Sequence, residues 1–344
     1  MYYQLLLFAK SMREHFKEQN TSRLLITVVV ILLVGVTALY GAEAKVNSSI
    51  NNFWDALWWG VVTMTTVGYG DIFPVTQLGR IIGVLVMILG IGTLAGVIGV
   101  FASAIQTINL KKEMGKLTAI FKDHVIICGW TEKAKHIIDE LHSQNVKGDH
   151  PVVLIADIET NPVHNDNLVH FVKGRIDSDQ ALKKAKIEDA RSVIVLNEDG
   201  EDSTTVLACL TAEKLNPSVY TVAEVTHAEN RIHFERAKVD EIIVSSELNS
   251  RLLVRSALHS GIASIVEELT TAAHGNEIYT MDIKKRWIGK TFKELHDIFY
   301  EQDAMLIGYK EGQEVFTNPK KETVVKQEYQ LVYIAEWDIE NKFK

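Results

Sequence analysis

The sequence predicts a membrane-spanning α-helical unit with two spans, followed by an α/β lobe with a doubly wound parallel sheet and by a smaller α+β lobe. Two long apolar runs lie near the N-terminus, and the composition changes abruptly to a soluble, charged pattern after Lys112. From residue 124 onward, short β-branched runs alternate with helical stretches, which is typical of a parallel sheet.

The two apolar runs are long enough to cross a bilayer. Residues 24–40 contain no charge and, with Gly41 and Ala42, approach the roughly 20 residues that a span requires. Residues 79–108 carry only Arg80 and, at about 1.5 Å per residue, exceed the thickness of the hydrocarbon core. A cleavable signal peptide is the alternative for the first run, but the residues before it are too long, charged and amphipathic for that interpretation.

Basic residues flank the two spans on one side of the membrane. Lysine and arginine precede the first span and follow the second, whereas residues 41–78 contain only Lys45. The flanking residues are Lys10, Arg13, Lys17, Arg23, Lys111, Lys112 and Lys116. The positive-inside rule therefore predicts a multi-pass protein of the cell membrane with both termini in the cytoplasm. Residues 1–23 form a cytoplasmic segment, residues 24–108 the membrane domain and residues 109–117 a linker.

A short apolar stretch and a glycine-rich run lie between the spans. Residues 53–65 are apolar and aromatic but too short to cross, which predicts a re-entrant helix. Glycine at alternate positions of the next run permits dihedral angles that direct successive carbonyl oxygens toward one axis. That run consists of Thr66, Val67, Gly68, Tyr69 and Gly70. A turn in an ordinary loop is the alternative, and the position between two apolar spans disfavours it.

The run at residues 66–70 resembles the selectivity filter of potassium channels, in which carbonyls from four chains replace the hydration shell of K⁺. The resemblance implies K⁺ bound along these residues. Trp58 and Trp59 are predicted to join Tyr69 in an aromatic collar that supports the filter, with an interfacial belt as the alternative. Asp71 follows directly and would form an acidic ring that concentrates cations at the pore mouth.

The second span is rich in glycine. Its glycines are Gly83, Gly90, Gly92, Gly96 and Gly99. Close helix packing is the first interpretation of such a pattern. A gating hinge at Gly90 or Gly92 is a second hypothesis, because both positions lie below the filter and above the expected cytoplasmic end of the span.

The remainder of the chain is predicted to form an α/β lobe at residues 118–245, a connecting helical region at 246–271 and a C-terminal lobe at 272–344. Strands of the first lobe are predicted at 125–128, 152–156, 169–172, 193–196, 219–223 and 241–244. Its helices are predicted at 132–144, 180–185, 203–215 and 228–237. Residues 248–270 are predicted to form one long amphipathic helix. In the C-terminal lobe, strands are predicted at 277–283, 304–309 and 329–335 around a helix at 292–299.

Charge and composition exclude several classes of function. The formal net charge of −8 argues against a nucleic-acid partner. Cys128 and Cys209 are too few for a disulfide framework and fit reduced thiols in a cytosol. No convergent nucleophile, base or metal cluster indicates an enzyme. Voltage sensing is disfavoured because no arginine-repeat helix precedes the spans.

Gly129 and Asp157 are candidate nucleotide-binding residues. Asp157 follows the second predicted strand, where a Rossmann fold places its ribose-binding acid. Gly129 follows the first strand, but the second and third glycines of the dinucleotide fingerprint are missing. Trp130 would also obstruct the approach of a pyrophosphate. A dinucleotide site is therefore predicted to be deficient, with Asp157 as a turn or helix-start residue in the alternative interpretation.

Several segments resemble the prokaryotic two-span potassium channels that carry a regulator-of-potassium-conductance (RCK) domain, of the calcium-gated MthK type. Besides the filter, they are His124-Val-Ile-Ile-Cys-Gly-Trp, Gly174-Arg-Ile-Asp, Ala190-Arg-Ser-Val-Ile-Val and Val222-Ala-Glu. The resemblance implies a potassium-selective homotetrameric pore gated by a ring of eight cytoplasmic, Rossmann-like RCK domains. Additional copies of the soluble part would complete that ring, and Met114 is placed where an internal start would supply them.

The resemblance also implies a regulatory Ca²⁺ site. In the calcium-gated members, one acid after the fourth strand and two acids near the end of the fifth bind the ligand. Asp202 and Glu224 match the first two positions, whereas Thr226 is neutral at the third. Ca²⁺ prefers six to eight oxygen ligands, so this change weakens the site. A solvated acidic loop is the alternative interpretation of residues 198–202.

Calcium is the first predicted ligand, and a nucleotide is the second. A membrane-tethered nucleotide sensor or oxidoreductase and a non-selective cation channel are the competing functions. The intact filter at residues 66–70 disfavours the non-selective channel.

Overall fold

A first span helix, a short re-entrant helix and a second span helix form the N-terminal part of the computed structural model. The structure describes residues 21–143, 150–271, 275–312 and 314–343, so the predicted cytoplasmic segment lies almost entirely outside the described residues. The helices are α1 (Thr21–Glu43), α2 (Phe53–Met64) and α3 (Gln77–Glu113). Both α1, from Arg23 onward, and α3 are long and apolar enough to cross a membrane.

A small core holds α2 between the two span helices. Trp59 and Met64 of α2 are buried together with Val36 of α1 and Val86 of α3. Gly60 allows α2 to approach α1, because a methyl group at this position would lie 2.6 Å from Cγ2 of Val36. The apolar side chains of α2 therefore fix the position from which the filter segment begins.

The second span helix continues beyond its predicted end. With 37 residues, α3 is about 55 Å long, against about 30 Å for the hydrocarbon core. The predicted linker, residues 109–117, is helical as far as Glu113. The helix ends just before Gly115, whose left-handed φ of 59° cannot continue it. In the last turn, the positive charges of Lys111 and Lys112 interact favourably with the negative end of the helix dipole.

The α/β lobe contains a parallel sheet in the doubly wound order β3-β2-β1-β4-β5-β6, counted over the described residues. The strands are β1 (His124–Cys128), β2 (Val152–Ala156), β3 (Val169–Lys173), β4 (Ala190–Val195), β5 (Tyr220–Val225) and β6 (Glu241–Val244). The helices between them are α4 (Glu132–Leu141), α5 (Asp179–Lys184), α6 (Asp202–Leu215) and α7 (Arg231–Arg236). The predicted architecture is therefore confirmed.

The position of β1 explains where this lobe can hold a ligand. Every residue of β1 and β2 is buried, as expected for parallel strands that are covered on both faces. The strand order reverses at β1, which pairs with both β2 and β4. In open α/β sheets, ligands bind at the carboxyl ends of the strands beside such a switch point. A ligand would therefore bind at the carboxyl ends of β1, β4 and β5, and we call this region the switch-point crevice.

The prediction of one long helix at residues 248–270 is wrong. The structure contains two helices, α8 (Ser245–Leu258) and α9 (Ile262–Thr270). Gly261 separates them with a left-handed φ of 89°, a conformation that interrupts helical hydrogen bonding and that glycine adopts without steric cost. The apolar periodicity continues across the break, which explains why the pattern alone suggested a single helix.

The C-terminal lobe is an antiparallel sheet packed on one helix, within the residues described. Its strands β7 (Glu277–Asp282), β8 (Met305–Glu311), β9 (Glu314–Thr317) and β10 (Tyr329–Ala335) lie in the order β7-β10-β8-β9. Helix α10 (Phe292–Tyr300) covers the sheet, and its Phe299 is buried with Trp287, Tyr333 and Phe343. Strand β9 was not predicted, because its residues are exposed and form only the edge of the sheet.

Helices α2 and α10 both begin at capping boxes. The Asn52 side chain accepts a hydrogen bond from the N–H of Asp55, and the Asp55 carboxylate accepts one from the N–H of Asn52. Thr291 and Glu294 form the same reciprocal pair at α10. The short polar sequences before both helices thus encode their starting points.

The chain divides into two compact units. Among the described residues, the first unit contains those up to Ile120 together with Glu159–Asn167, and the second contains those of Phe121–Ile158 and those from Leu168 onward. The membrane helices belong to the first unit, and both sheets belong to the second.

Candidate functional site

The segment after α2 has an alternating backbone conformation. Thr66, Gly68 and Gly70 have left-handed φ angles of 61°, 58° and 75°, whereas Val67 and Tyr69 are not left-handed. Alternation of this kind allows successive carbonyl oxygens to face the same side of the segment. The local backbone therefore has the conformation that a column of carbonyl ligands requires.

The inner end of this segment is fastened to α2. The N–H groups of Val67 and Gly68 both donate to the carbonyl oxygen of Val62, at 3.0 and 3.3 Å. The N–H of Thr66 donates to the carbonyl oxygen of Thr63 at 3.0 Å. These bonds use the free carbonyl groups at the C-terminus of α2, so this helix positions the start of the predicted filter.

Trp58 links α2 to the outer end of the segment. Its indole N–H donates to Oδ2 of Asp71 at 2.9 Å, and its ring stacks on Tyr69 with centroids 5.9 Å apart and planes 5° apart. The structure thus places Trp58, Tyr69 and Asp71 together. Their roles as filter collar and pore mouth stay predictions. Trp59 instead lies in the core between the helices, 4% exposed, and its contribution to filter support stays a prediction.

A single chain leaves the filter side chains uncovered. Val67 is 53% exposed and Tyr69 is 67% exposed, so the described chain does not supply the packing surface predicted for them. Large apolar side chains at this density in a membrane segment need either lipid or a neighbouring chain. Assembly with further copies is the arrangement in which a filter of carbonyl rings would also be complete.

Glu43 is a functional candidate that the sequence analysis did not identify. It ends α1 and is fully buried, and its two carboxylate oxygens accept four hydrogen bonds. Oε2 accepts from Nδ2 of Asn47 at 2.8 Å and from the N–H of Val75 at 2.9 Å. Oε1 accepts from the N–H and the hydroxyl of Thr76 at 2.9 and 2.6 Å. The carboxylate therefore fastens the end of the first span to the loop that leaves the filter.

The same carboxylate defines the start of α3. Thr76 is the N-cap, and its hydroxyl accepts a hydrogen bond from the N–H of Gly79 at 2.9 Å while donating to Glu43. A methyl group on Gly79 would collide with Oε1 of Glu43. Glu43, Asn47, Thr76 and Gly79 thus form one unit, which we call the outer clamp. The available sequence signal was an acid at the end of an otherwise uncharged span.

Gly90 and Gly92 have different surroundings on α3. Gly90 is buried, and a methyl group there would lie 2.8 Å from Cγ of Met64 at the end of α2. No atom of the described chain would come within 4 Å of a methyl group at Gly92. The structure therefore accounts for Gly90 by packing below the filter, and α3 is continuous through both positions. A hinge at either residue stays a prediction.

We expect Gly90→Ala to lower the thermal stability of the membrane unit and Gly92→Ala to leave it unchanged. The added methyl at Gly90 must displace Met64, and such overpacking costs about 1–3 kcal/mol. The thermal midpoint of the purified, reconstituted protein should fall for Gly90→Ala. In a Met64→Ala background, where the methyl group has room, Gly90→Ala should cause no further fall. A thermal midpoint of Gly90→Ala equal to that of the parent would contradict the packing explanation. Altered channel opening in Gly92→Ala, without loss of stability, would instead support the hinge.

Asp202 is saturated by donors in the switch-point crevice. It is buried, and Oδ1 accepts from Nδ2 of Asn197 at 2.8 Å and from the N–H of Thr226 at 2.9 Å. Oδ2 accepts from the N–H of His227 at 3.0 Å and from Nδ2 of Asn230 at 2.8 Å. Burial raises the pKa of this carboxyl, but the hydrogen bonds outweigh that effect and hold the pKa below its ordinary value. Asp202 therefore ties the ends of β4 and β5 together.

Glu224 is paired with a cation from the chain itself. The ammonium of Lys133, on the first turn of α4, donates to Oε1 of Glu224 on β5. The Glu224 side chain is 9% exposed, whereas that of Lys133 is 59% exposed. Oε2 of Glu224 is buried without a hydrogen-bond partner among the residues described. The pairing of Asp202 and Glu224 in one metal site is thus not the arrangement that the structure shows.

Glu198 covers the turn that follows β1. Its Oε1 accepts a hydrogen bond from the N–H of Trp130 at 2.7 Å, and a methyl group at Gly129 would lie 3.1 Å from its Cγ. Gly129 has a left-handed φ of 107°, as a tight strand-to-helix turn requires. Asp157 is exposed just beyond β2. The N–H of Trp130 thus already donates to the Glu198 carboxylate, whereas a nucleotide phosphate would need this N–H as a donor.

These residues do not fit the regulatory ligands expected from the sequence. For Ca²⁺, the oxygens of Asp202 are committed to protein donors, Glu224 carries an ammonium, and Thr226 is neutral. No group of three or more His, Cys, Asp or Glu within the described ranges is arranged to hold a metal ion. For a nucleotide, Glu198 presents negative charge where phosphate would bind. Both ligands would need displacement of existing contacts.

Comparison with known protein families covers almost all of the chain. Residues 24–107 match the ion channel family, and residues 125–245 match the TrkA-N domain family. Residues 246–344 match the family described as Castor and Pollux, part of voltage-gated ion channel. The calcium-gated potassium channel TvoK of Thermoplasma volcanium is 30% identical over 282 residues, which cover 79% of this chain and 80% of that channel. The chain belongs to the potassium channels that carry a TrkA-N (RCK) domain.

Other relatives agree with this assignment. Potassium channel protein 1 of Methanocaldococcus jannaschii is 27% identical to the channel over 312 residues, covering 88% of this chain and 89% of that protein. The solved structure of the GsuK channel superposes with a TM-score of 0.51 at 20% identity. That superposition covers 92% of this chain and 58% of the GsuK chain, and it concerns the fold. The predicted membrane pore domain joined to a Rossmann-like lobe is thus confirmed at the level of family and fold.

Proposed function

We propose that four copies of this chain surround one potassium-selective pore, with residues 66–70 of each copy forming the filter. The main support for this proposal is the left-handed φ at alternate residues, Thr66, Gly68 and Gly70, in a segment that is hydrogen-bonded to α2. Carbonyl oxygens from the copies would replace the hydration shell of K⁺ at several sites in series, so that ions leave by mutual repulsion. No charged side chain is needed inside the filter.

The outer mouth is completed by Asp71. Trp58 holds its carboxylate by a hydrogen bond, so each copy presents an oriented negative charge beside the filter exit. A ring of such charges raises the local cation concentration. The basic residues before α1 and after α3 support an orientation in which this mouth faces outward and both chain ends are cytoplasmic.

The second unit would act as a cytoplasmic regulatory ring. We propose that eight RCK lobes assemble below the pore, half of them from additional copies of the soluble part, and that a ligand favouring one arrangement of the ring opens α3. Changing a pore from 1:99 to 99:1 open requires about 5.5 kcal/mol of differential binding. A ring of weak sites supplies this with less than about 1 kcal/mol per lobe.

Calcium is the first ligand to test, because TvoK is named as a calcium-gated channel. A nucleotide is the second, since the solved GsuK channel has been described with bound NAD. Asp202 and Glu224 do not offer calcium an open site, and Gly129 is covered by Glu198. We therefore assign regulation to the RCK lobes without routing it through these residues.

Ion flux into liposomes tests the proposed function. The purified full-length channel should carry K⁺ far faster than Na⁺ under matched gradients, and opening should be measured while Ca²⁺, protons and nucleotides are titrated. Equal K⁺ and Na⁺ flux would favour a non-selective cation channel. Absence of flux under every effector, from a preparation shown to be tetrameric by native mass spectrometry, would favour a membrane-tethered sensor or oxidoreductase.

A further inference from the structure

The ion pair between Lys133 and Glu224 joins elements that are 91 residues apart in the chain. Lys133 follows the Gly129 turn on α4, and Glu224 lies near the carboxyl end of β5. The pair is asymmetric, since the carboxylate is more than nine-tenths buried while most of the lysine side chain is exposed. The contact therefore serves the carboxylate, which would otherwise be a buried, uncompensated charge.

The charge balance of the crevice points to a role for this lysine. The oxygens of Asp202 are occupied by four hydrogen-bond donors of the chain, and Thr226 carries no charge. Glu224 is the buried acid that contacts a cation of the chain, and its Oε2 is buried without a donor among the residues described. The hydroxyl of Thr131, the N-cap residue two positions before Lys133, is a second buried oxygen without a partner there. Oxygen ligands without donors are the chemistry of a hard-cation site, yet the crevice contains an ammonium.

We propose that Lys133 is the resident cation of the switch-point crevice: its ammonium takes the place at Glu224 that a divalent metal would occupy, so the natural crevice does not bind Ca²⁺. This inference rests on the proposed regulatory role of the RCK lobe, and it specifies which cation compensates Glu224 there. Removal of the amine uncovers a weak site for a hard divalent cation, built on Glu224. In the ring formed by this chain, the Lys133 ammonium compensates the Glu224 carboxylate at all times, so Ca²⁺ is not needed at this position.

Removing the charge of Lys133 and removing the charge of Glu224 should affect thermal stability to different extents. Lys133→Met leaves a buried carboxylate without compensation, whereas Glu224→Gln leaves an ammonium that is already largely in water. Lys133→Met should therefore lower the thermal midpoint of the full-length channel much more than Glu224→Gln. The Lys133→Met, Glu224→Gln double variant should recover most of the loss. Lys135→Met, which removes the same charge from an exposed position on α4, is the matched control.

Calcium should rescue the uncovered carboxylate. With a dissociation constant on the order of 10⁻³ M, about 10 mM Ca²⁺ should raise the midpoint of Lys133→Met by roughly 3 °C or more. The parent, Lys135→Met and the double variant should shift much less. Titration calorimetry with Ca²⁺ gives a direct binding readout, as does Tb³⁺ luminescence under direct excitation, and Glu224→Gln in the Lys133→Met background should abolish the additional signal.

Two results would overturn the inference. The first is a Ca²⁺-dependent rise of the parent midpoint that disappears in Glu224→Gln, because the metal would then displace the lysine in the natural crevice. The second is Lys133→Met without any Ca²⁺ or Tb³⁺ response, because the amine would then not occupy a cation position. Potassium flux of the parent is measured separately, so failure of the proposed channel function is distinguishable from failure of this assignment.

Discussion

Gly68→Ala is expected to abolish potassium-selective flux while leaving the chain folded. Gly68 has a φ of 58°, and no atom of the described chain lies within 4 Å of a methyl group built there, so the effect arises from backbone strain. A left-handed alanine costs about 1–2 kcal/mol, which the four copies around one filter raise to about 4–8 kcal/mol. The filter would relieve this strain by turning a carbonyl away from the axis. Flux measurements with K⁺ and Na⁺ in liposomes check the prediction.

Gly41→Ala is the matched control for this experiment. It adds the same methyl group to a helical glycine of α1, also without a neighbour within 4 Å, but at a position where φ is not left-handed. Flux through this variant should match that of the parent. Full potassium selectivity in Gly68→Ala would mean that the left-handed conformation at residue 68 is not required, and the filter assignment would lose its main support.

Glu43→Gln is expected to destabilise the membrane unit strongly despite its similar shape. Each carboxylate oxygen accepts two hydrogen bonds, one of them from a backbone N–H, so an amide nitrogen at either position faces a group that cannot accept. A buried polar conflict of this kind costs about 2–5 kcal/mol per chain. The loop that leaves the filter would lose its attachment to α1. Thermal dissociation of the assembled channel, followed by gel electrophoresis, and potassium flux should both reveal the loss.

Alanine substitutions at two glycines of α3 provide a second disruption of the outer clamp and its matched control. Gly79→Ala should reproduce the defect of Glu43→Gln, because its methyl group collides with the Glu43 carboxylate. Gly83→Ala, one turn further along, brings its methyl group only to ordinary contact with Pro74 at 3.6 Å and should be tolerated. If Glu43→Gln and Gly79→Ala both retained the dissociation temperature of the parent, the outer clamp would have no structural role.

Local sequence signals predicted most of the fold. The six strands of the α/β lobe lie at their predicted positions to within a few residues, because buried parallel strands form continuous β-branched runs. Both spans were evident from uninterrupted apolar residues. The errors occurred where one residue overrides a periodic pattern, as at Gly261, or where an exposed edge strand such as β9 lacks a pattern.

The candidate sites were predictable to different degrees. The filter could be predicted because its chemistry would reside in the backbone of five consecutive residues. The stacking of Trp58 on Tyr69 is a contact that the sequence could only suggest. The outer clamp was missed because its donors at residues 75 and 76 are separated from Glu43 by 32 and 33 positions. No local pattern indicates that such distant groups will converge on one carboxylate.

Consecutive residues thus predict two spans, a carbonyl filter and a parallel sheet, because hydrophobic periodicity and glycine conformation are properties of short segments. Which acids remain available to a ligand is different. Asp202 and Glu224 looked equivalent in the sequence, yet the first is consumed by hydrogen bonds and the second by Lys133. The strand order brings those partners together, and burial then requires every charge to find one.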